Sequence, residues 1–297
     1  MSSSYSVRTK DFYIKLLHHI KQRGFLTFLC TIIRKILEVI IPPRAKAFER
    51  LRELISAKKG FEIGGPSRFF SISGSMPIYE IASRIDNCNF SPKTIWEGIL
   101  EEGDNFRYGG GAVLGHQYIR EAVDLHGIPS KEYDFVCSSH VIEHIANPLH
   151  AFFEWSRILK DDGIMIIIVP CKEKTFDHKR PVTLLDHLIE DYTCGTTEDD
   201  TTHISEVLEL HDLSLNPLAG SFEEFKERTL NNSQNRTVHH HVFDGDLVIK
   251  MLDYAGYQIC NVEVSRPGNI IVISKKIINL QTIDNSTFLN KSNTYSF

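Results

Sequence analysis

The chain has 297 residues, of which 42% are hydrophobic and 24% charged, the make-up of an ordinary globular protein with enough length for one large domain. Its six cysteines are scattered with no Cys-x-x-Cys pair, which excludes a disulfide framework or a thiolate zinc site and fits a reducing, cytoplasmic compartment. The net charge of -5 is split: residues 1–60 hold 13 Lys/Arg against 4 Asp/Glu, so the remainder carries -14 and offers no basic groove for nucleic acid.

The basic stretch, residues 1–56, reads as a helical arm. Between Phe25 and Ile41 the polar positions Thr27, Thr31, Arg34, Lys35 and Glu38 share one helical face, with Phe28, Leu29, Ile32, Ile33, Ile36 and Leu37 opposite, and Pro42-Pro43 stops the pattern. Arg34 and Lys35 interrupt the apolar run that a membrane span requires. An apolar face of this kind needs a cover. The choices are the chain's own body, a second copy in a homodimer, or a membrane surface or membrane-bound partner, which would place the protein at the inner membrane face.

Regular α/β patterning begins at Gly60–Ile63, a short strand running into the turn Glu62-Ile-Gly64-Gly65-Pro-Ser67. A glycine pair at a strand end lets backbone approach a ligand closely. Arg84–Phe90, Tyr118–Val123 and Tyr133–Ser138 read as the next strands, with Asp86 inside the second and Asp124 closing the third. Pro148–Lys160 is an amphipathic helix, and Ile164–Val169 is an unbroken apolar run, the pattern of a central strand covered on both faces. An insert follows over 171–243, carrying seven of the fourteen histidines. Asp244–Ala255 is then a helix capped by Gly256, and Tyr257–Val264 and Ile270–Lys275 form a hairpin around Arg266-Pro-Gly268. Residues 277–297, rich in Asn, Ser and Thr, read as a loose tail. Strands alternating with helices predict an α/β fold with a doubly wound, mostly parallel seven-stranded sheet over 57–276, its last strand antiparallel.

Several pieces occur in the order found in class I S-adenosylmethionine-dependent methyltransferases. Glu62–Ser67 resembles the first motif of that family, and Asp86 the acidic residue of its second strand. Ala122-Val-Asp124-Leu125-His-Gly-Ile-Pro129 resembles the segment bordering adenine. Tyr133–His144, continuing through Asn147-Pro148, Glu154, Arg157–Lys160, Gly163 and Val169-Pro170, resembles the fourth and fifth strands with their linking helix. The resemblance implies a Rossmann-like fold, S-adenosyl-L-methionine as cofactor, and methyl transfer to a small-molecule or glycan acceptor. The glycan direction comes from Thr175–Pro181 and the following insert, which are similar to a subgroup tied to glycan and cell-envelope pathways.

The resemblance assigns cofactor contacts to Glu62, Gly64, Gly65, Asp86, Asp124, Leu125 and Ser139, with Glu97 an alternative to Asp86. A hydroxyl acceptor benefits from a base with pKa near neutrality, so His178 beside Asp177, and then His140, are the catalytic candidates. In His239-His240-His241, one ring is expected inward and the others solvated. Two metal readings compete. His140, Glu143 and His144 match the H-x-x-E-H spacing of a zinc peptidase class, and His203, Glu206 and His211 lie near Asp199 and Asp200. Because Pro148 interrupts the first pattern and the transferred methyl needs no metal, no metal is expected. Where the family's first motif carries further glycines, this chain has Pro66-Ser67, which leaves a non-catalytic binding or scaffold relative as the competing function.

Overall fold

The computed structural model describes residues 43–265, 268–279 and 282–290. The arm helix read over 11–41 therefore lies outside the described residues, as do Arg266 and Pro267 of the hairpin turn. The first described helix, α1 (Ala47–Ile55), buries Ala47, Phe48, Leu51 and Ile55, one side of a helix.

Ten strands follow: β1 (Lys59–Ile63), β2 (Arg84–Asn89), β3 (Lys93–Thr94), β4 (Gly98–Ile99), β5 (Gly103–Phe106), β6 (Gly115–Ile119), β7 (Tyr133–Ser139), β8 (Leu159–Pro170), β9 (Tyr257–Ser265) and β10 (Asn269–Lys276). Eight form one sheet in the order β5-β6-β2-β1-β7-β8-β10-β9, and β3 and β4 make a separate hairpin. The five central strands β6, β2, β1, β7 and β8 are parallel, whereas β10 runs antiparallel to both neighbours. This is the expected doubly wound α/β sheet with one strand more than the seven predicted. The extra edge strand, β5, is antiparallel to β6. Its sequence, Gly-Asp-Asn-Phe, buries only Phe106 and carries no strand-like apolar pattern.

The isoleucine run of β8 explains why the sheet is covered twice. Met165, Ile167 and Val169 belong to one core with Phe61, Val136 and Val272, while Ile164, Ile166 and Ile168 belong to the other with Phe135, Cys137 and Ile271. Burying each such side chain stabilises the fold by roughly 1.5–3 kcal/mol. Helices α2 (Pro148–Ile158), capped by the Asn147 side chain, and α7 (Gly245–Tyr254), capped by Asp244, cover the first core. Helix α1 and the turns around Phe70 and Ile78 cover the second.

Two local features position the site. Short 3-10 turns, Arg68–Phe70 and Ile78–Glu80, make up the irregular connection from β1 to β2. The third central strand ends at Ile119, not Val123. Gly115 sits so close to Ile85 O (2.1 Å from an ideal Cβ) that it belongs inside the sheet, and Glu121 bridges Asp124 in a turn beyond the strand.

The insert carries α3 (Leu185–Cys194), which packs its Leu188 into the first core, and α4 (Ile204–Leu210), α5 (Phe222–Leu230) and α6 (Asn232–Asn235), beside which a small core of Val207, Ala219, Phe225 and Val238 forms. In the C-terminal segment a short helix, α8 (Ser286–Leu289), follows Asn285. That side chain is buried and bonds Tyr257 O and Ile259 N, both at 2.8 Å, so residues 282–290 are docked on β9 where a loose tail was read. No helix among the described residues is long and apolar enough to cross a membrane.

Candidate active site

The turn after β1 is shaped by its glycines. Gly64 has φ +75°, and a Cβ there would lie 2.5 Å from Val141 Cγ2; one on Gly65 would lie 2.3 Å from Glu62 Cδ. The turn's donors are used internally. Gly64 N–H donates to Cys88 O (2.8 Å), Gly65 N–H to Asn87 Oδ1 (2.8 Å), and Ser67 N–H to Glu62 Oε1 (3.0 Å). Tyr79 O–H donates to the second Glu62 oxygen at 2.8 Å. Glu62 is thus a fully buried brace beneath the turn and does not line the cleft, and burial pushes its carboxyl up to about 8. The turn offers a ligand a contour more than a row of free N–H groups.

That contour is one wall of a cleft of about 520 Å³ at the carboxyl ends of the central strands, where ligands of open α/β sheets bind. Ile63, Gly64, Asn89, Ser139, His140 and Pro170 form its floor. Arg120, Glu121 and Ala122 line it beyond β6, where Glu121 meets Arg236 of the insert (2.8 Å), and Phe176, Glu198 and His239 of the insert complete the lining. Of the residues singled out in the sequence, the fold brings Gly64, Glu97, Ser139, His140, Glu143, His144 and His239 to this cleft, with Gly65 directly behind the turn.

Asp86 is not there. It lies three residues before the end of β2, opposite Phe61, and both oxygens are committed: Arg84 Nε (2.7 Å) and His116 N–H (2.8 Å) to one, Tyr133 O–H (2.8 Å) to the other. The residue at the strand end is Asn89. Its Oδ1 accepts from Asn87 (2.8 Å) and Gln117 (2.9 Å), which leaves its amide nitrogen for the cleft. Asp124 and Leu125 also fall outside the lining, because β6 ends early. Asp124 is exposed and bonds His126, and the Leu125 N–H is taken by Glu154 (2.9 Å). The neighbouring Arg120–Ala122 occupies their expected place.

The imidazoles are rearranged as well. His178 turns away from the cleft to Asp212, 2.9 Å from Nε2. His140, at φ 55°, stacks on Phe69 and holds Asn269 Oδ1 at 2.8 Å. The ring that enters the cleft beside Asp177 is His239, whose Nδ1 bonds Asp177 Oδ2. Burial works against ionisation of Asp177, but His239 and Arg180 outweigh it and hold the carboxyl well below the usual range. Burial likewise opposes a charged His239, and Asp177 overcomes it, raising the imidazole pKa. Next to His239 stand His144, kept neutral by burial and by its histidine neighbours, and Glu143, buried with both carboxylate oxygens unpartnered. One ligating atom from each of Glu143, His144 and His239 lies within 4.8 Å of the others. All three rings of His239-His240-His241 are buried, not one as read from sequence.

Both metal readings dissolve in their predicted form. Residues 142–144 are a single 3-10 turn, so His140 and His144 are not displayed on one helix. Glu206 pairs with Arg180 (2.7 Å), and His211 stacks against Phe176 and Phe225. Asp199 bonds Thr197, and Asp200 bonds Thr202. Sequence reasoning missed Asn89, Arg236 and His239 as cleft residues; the histidine triplet ahead of α7 was the one signal pointing to His239.

Comparison with known proteins gives one family match: a model described as a methyltransferase domain covers residues 79–262, more than half of the chain. No curated protein is matched. Among solved structures, a SAM-dependent methyltransferase from Aquifex aeolicus is 12% identical, covering 83% of this chain and 98% of its own, with a TM-score of 0.39. An S-adenosylmethionine-dependent methyltransferase from Mesorhizobium loti is 15% identical, covering 78% and 98%, with a TM-score of 0.45.

Proposed function

The chain belongs to the methyltransferase-domain family and is an S-adenosylmethionine-dependent methyltransferase, and from that premise we propose that it methylates a hydroxyl oxygen of a neutral small-molecule or glycan-linked acceptor. The cleft has the size of a ligand site, since about 520 Å³ lies within the typical range of roughly 300–1,000 Å³. The Asn89 amide nitrogen and the Ser139 hydroxyl, which is buried without a partner, are suited to the cofactor's polar groups. The contour of Gly64, Pro66 and Ser67 admits its amino acid end, and Arg120–Ala122 flank its base. Bound there, the cofactor supplies a sulfonium-activated methyl group.

What remains for the protein is positioning and proton removal. Asp177, ionised, accepts the Nδ1–H of His239 and so leaves the Nε2 lone pair for an acceptor hydroxyl. Glu143 is placed to accept from a second hydroxyl of the same acceptor, because both its oxygens lack hydrogen-bond partners among the described residues, with His140 Nδ1 4.0 Å from Oε1. Two of the cleft's arginines are already compensated, Arg120 by Glu102 (2.7 Å) and Arg236 by Glu121 and Glu198, which supports a neutral acceptor over a phosphorylated one.

The observation that carries this reading is the buried Asp177–His239 pair opening on the cleft beside Glu143. Its test is transfer of labelled methyl from S-adenosylmethionine to parallel panels of neutral sugars, sugar phosphates and amines, using wild type and His239→Gln. Turnover on neutral hydroxyl compounds should fall about 10²–10⁴-fold in the variant, with cofactor affinity unchanged by calorimetry. Turnover confined to phosphates or amines, or unaffected by the substitution, would overturn the reading.

A further inference from the structure

A second histidine cluster lies outside the cleft. His187 and Asp191 sit four residues apart on α3, hence on one face of that helix. His203 immediately precedes α4, and His241 lies on the segment leading to α7. One nitrogen from each of His187, His203 and His241 falls within 4.8 Å of the other two. His187 Nε2 is 3.2 Å from His203 Nε2 and 3.4 Å from Asp191 Oδ2, and Asp191 Oδ2 is 3.6 Å from His241 Nε2.

These spacings have a specific meaning. Ligands bound at 2.0–2.1 Å around a tetrahedral ion are separated by roughly 3.3–3.4 Å, the zinc–imidazole and zinc–carboxylate geometry. Hydrogen bonding within the protein satisfies the group only in part. His187 and His203 share a single N–H···N contact at 3.2 Å and His241 Nε2 donates to Ala146 O at 3.1 Å, while Asp191 Oδ2 and His241 Nδ1 are buried without a hydrogen-bond partner. An outer contact of the kind that orients a metal ligand is present: Thr196 O–H holds Asp191 Oδ1 at 3.0 Å.

We propose that His187, His203 and His241 bind a divalent zinc-class cation in a structural site, with the Asp191 carboxylate, 3.4 Å from His187 Nε2, drawn in as the fourth donor. Three imidazoles and a carboxylate are borderline donors suited to zinc, and with all four positions supplied by protein the site is closed and supports structure in preference to catalysis. The ion would pin α3, the start of α4 and the 239–241 segment to one point. That segment is tied to the loop after β7 through the His241 N–H on Glu143 O (3.4 Å), and the Asn147 side chain reaches Asp191 O (3.0 Å). Such a clamp would fix the backbone that carries His239 into the cleft. The proposal does not depend on the identity of the methyl acceptor.

The test uses full-length protein treated with chelator and then titrated with zinc chloride, read by metal analysis and thermal unfolding. Wild type should retain one equivalent of zinc and gain thermal stability on binding it; cobalt in its place should give the intense visible bands of tetrahedral coordination. His187→Ala and the milder Asp191→Asn should each weaken zinc binding at least about 100-fold, since loss of an outer-shell partner alone costs 10–100-fold. His144→Ala, which disturbs the cleft trio of Glu143, His144 and His239, should leave the stoichiometry at one. No zinc bound by folded wild type, zinc retained by Asp191→Asn at wild-type affinity, or zinc lost in His144→Ala but kept in His187→Ala would each overturn the assignment.

Discussion

Arg180 Nη1 meets Asp177 Oδ1 at 3.0 Å with both side chains buried, and the two together tie the beginning of the insert to its end at His239. The same guanidinium donates to His239 O (2.8 Å), to His240 O (3.1 Å) and to Glu206 Oε1 (2.7 Å). Asp177 holds the His239 ring while Arg180 holds the His239 backbone, so the cleft imidazole is fixed from two directions by residues three apart in sequence.

Arg180 is therefore predicted to be the most costly single position in the insert. Arg180→Met should destabilise the protein by about 3–5 kcal/mol, the cost of leaving a buried carboxylate without its partner. Arg180→Lys should recover little, because one ammonium cannot reach the several acceptors that the planar fork reaches. Urea unfolding and the rate of proteolysis within 171–243 measure this. Wild-type behaviour of the lysine variant would show that charge alone suffices.

Glu62 makes stability depend on pH. Its carboxyl, ordinarily near 4.5, titrates at about 8 in the folded chain because burial disfavours the charge. A group that holds its proton more tightly when folded contributes stability that is full below about 4.5, declines as pH rises and is exhausted once pH passes about 8. Within that window the slope approaches about 1.4 kcal/mol per pH unit. Glu62→Gln should flatten the unfolding free energy between pH 5 and pH 8. An unchanged slope in the variant would assign the dependence to other groups.

The central sheet was readable because its signals are local. The apolar run of β8 and the caps of α2 and α7 are fixed by residues adjacent in sequence, and the parallel order follows from strands separated by crossovers. The cofactor end of the site was less readable. Whether an acidic residue reaches the cleft depends on its distance from the strand end, and an offset of three residues, Asp86 against Asn89, moves a side chain from the cleft into a buried network. The choice between His178 and His239 was beyond local reading altogether. It is made by Arg180 and Asp177 drawing together segments about sixty residues apart, a tertiary arrangement with no periodic trace in the sequence.

That offset gives a direct experiment. Asn89→Ala removes the free amide nitrogen at the end of β2 and should weaken S-adenosylmethionine binding about tenfold, the worth of one hydrogen bond of roughly 1.5 kcal/mol. Asp86→Asn should leave affinity unchanged and lower stability, since Arg84 and Lys59 then face a neutral group. Asp124→Ala, at an exposed side chain, should alter neither. Calorimetry on the three variants decides the matter, and a selective loss of affinity in Asp86→Asn would restore the acidic residue to the pocket.

Gly64 tests the wall of the cleft itself. At φ +75° any residue with a Cβ meets the left-handed penalty of about 1–2 kcal/mol. Here the Cβ also meets Val141 Cγ2 at 2.5 Å, so the turn must move. Gly64→Ala should fold, with reduced stability and at least tenfold weaker cofactor binding. The added change Val141→Ala removes the colliding methyls and leaves the backbone penalty in place. The double variant should therefore recover part of the lost affinity while remaining less stable than Val141→Ala alone. Full affinity in Gly64→Leu, with the fold intact, would mean that the cofactor does not rest on this turn.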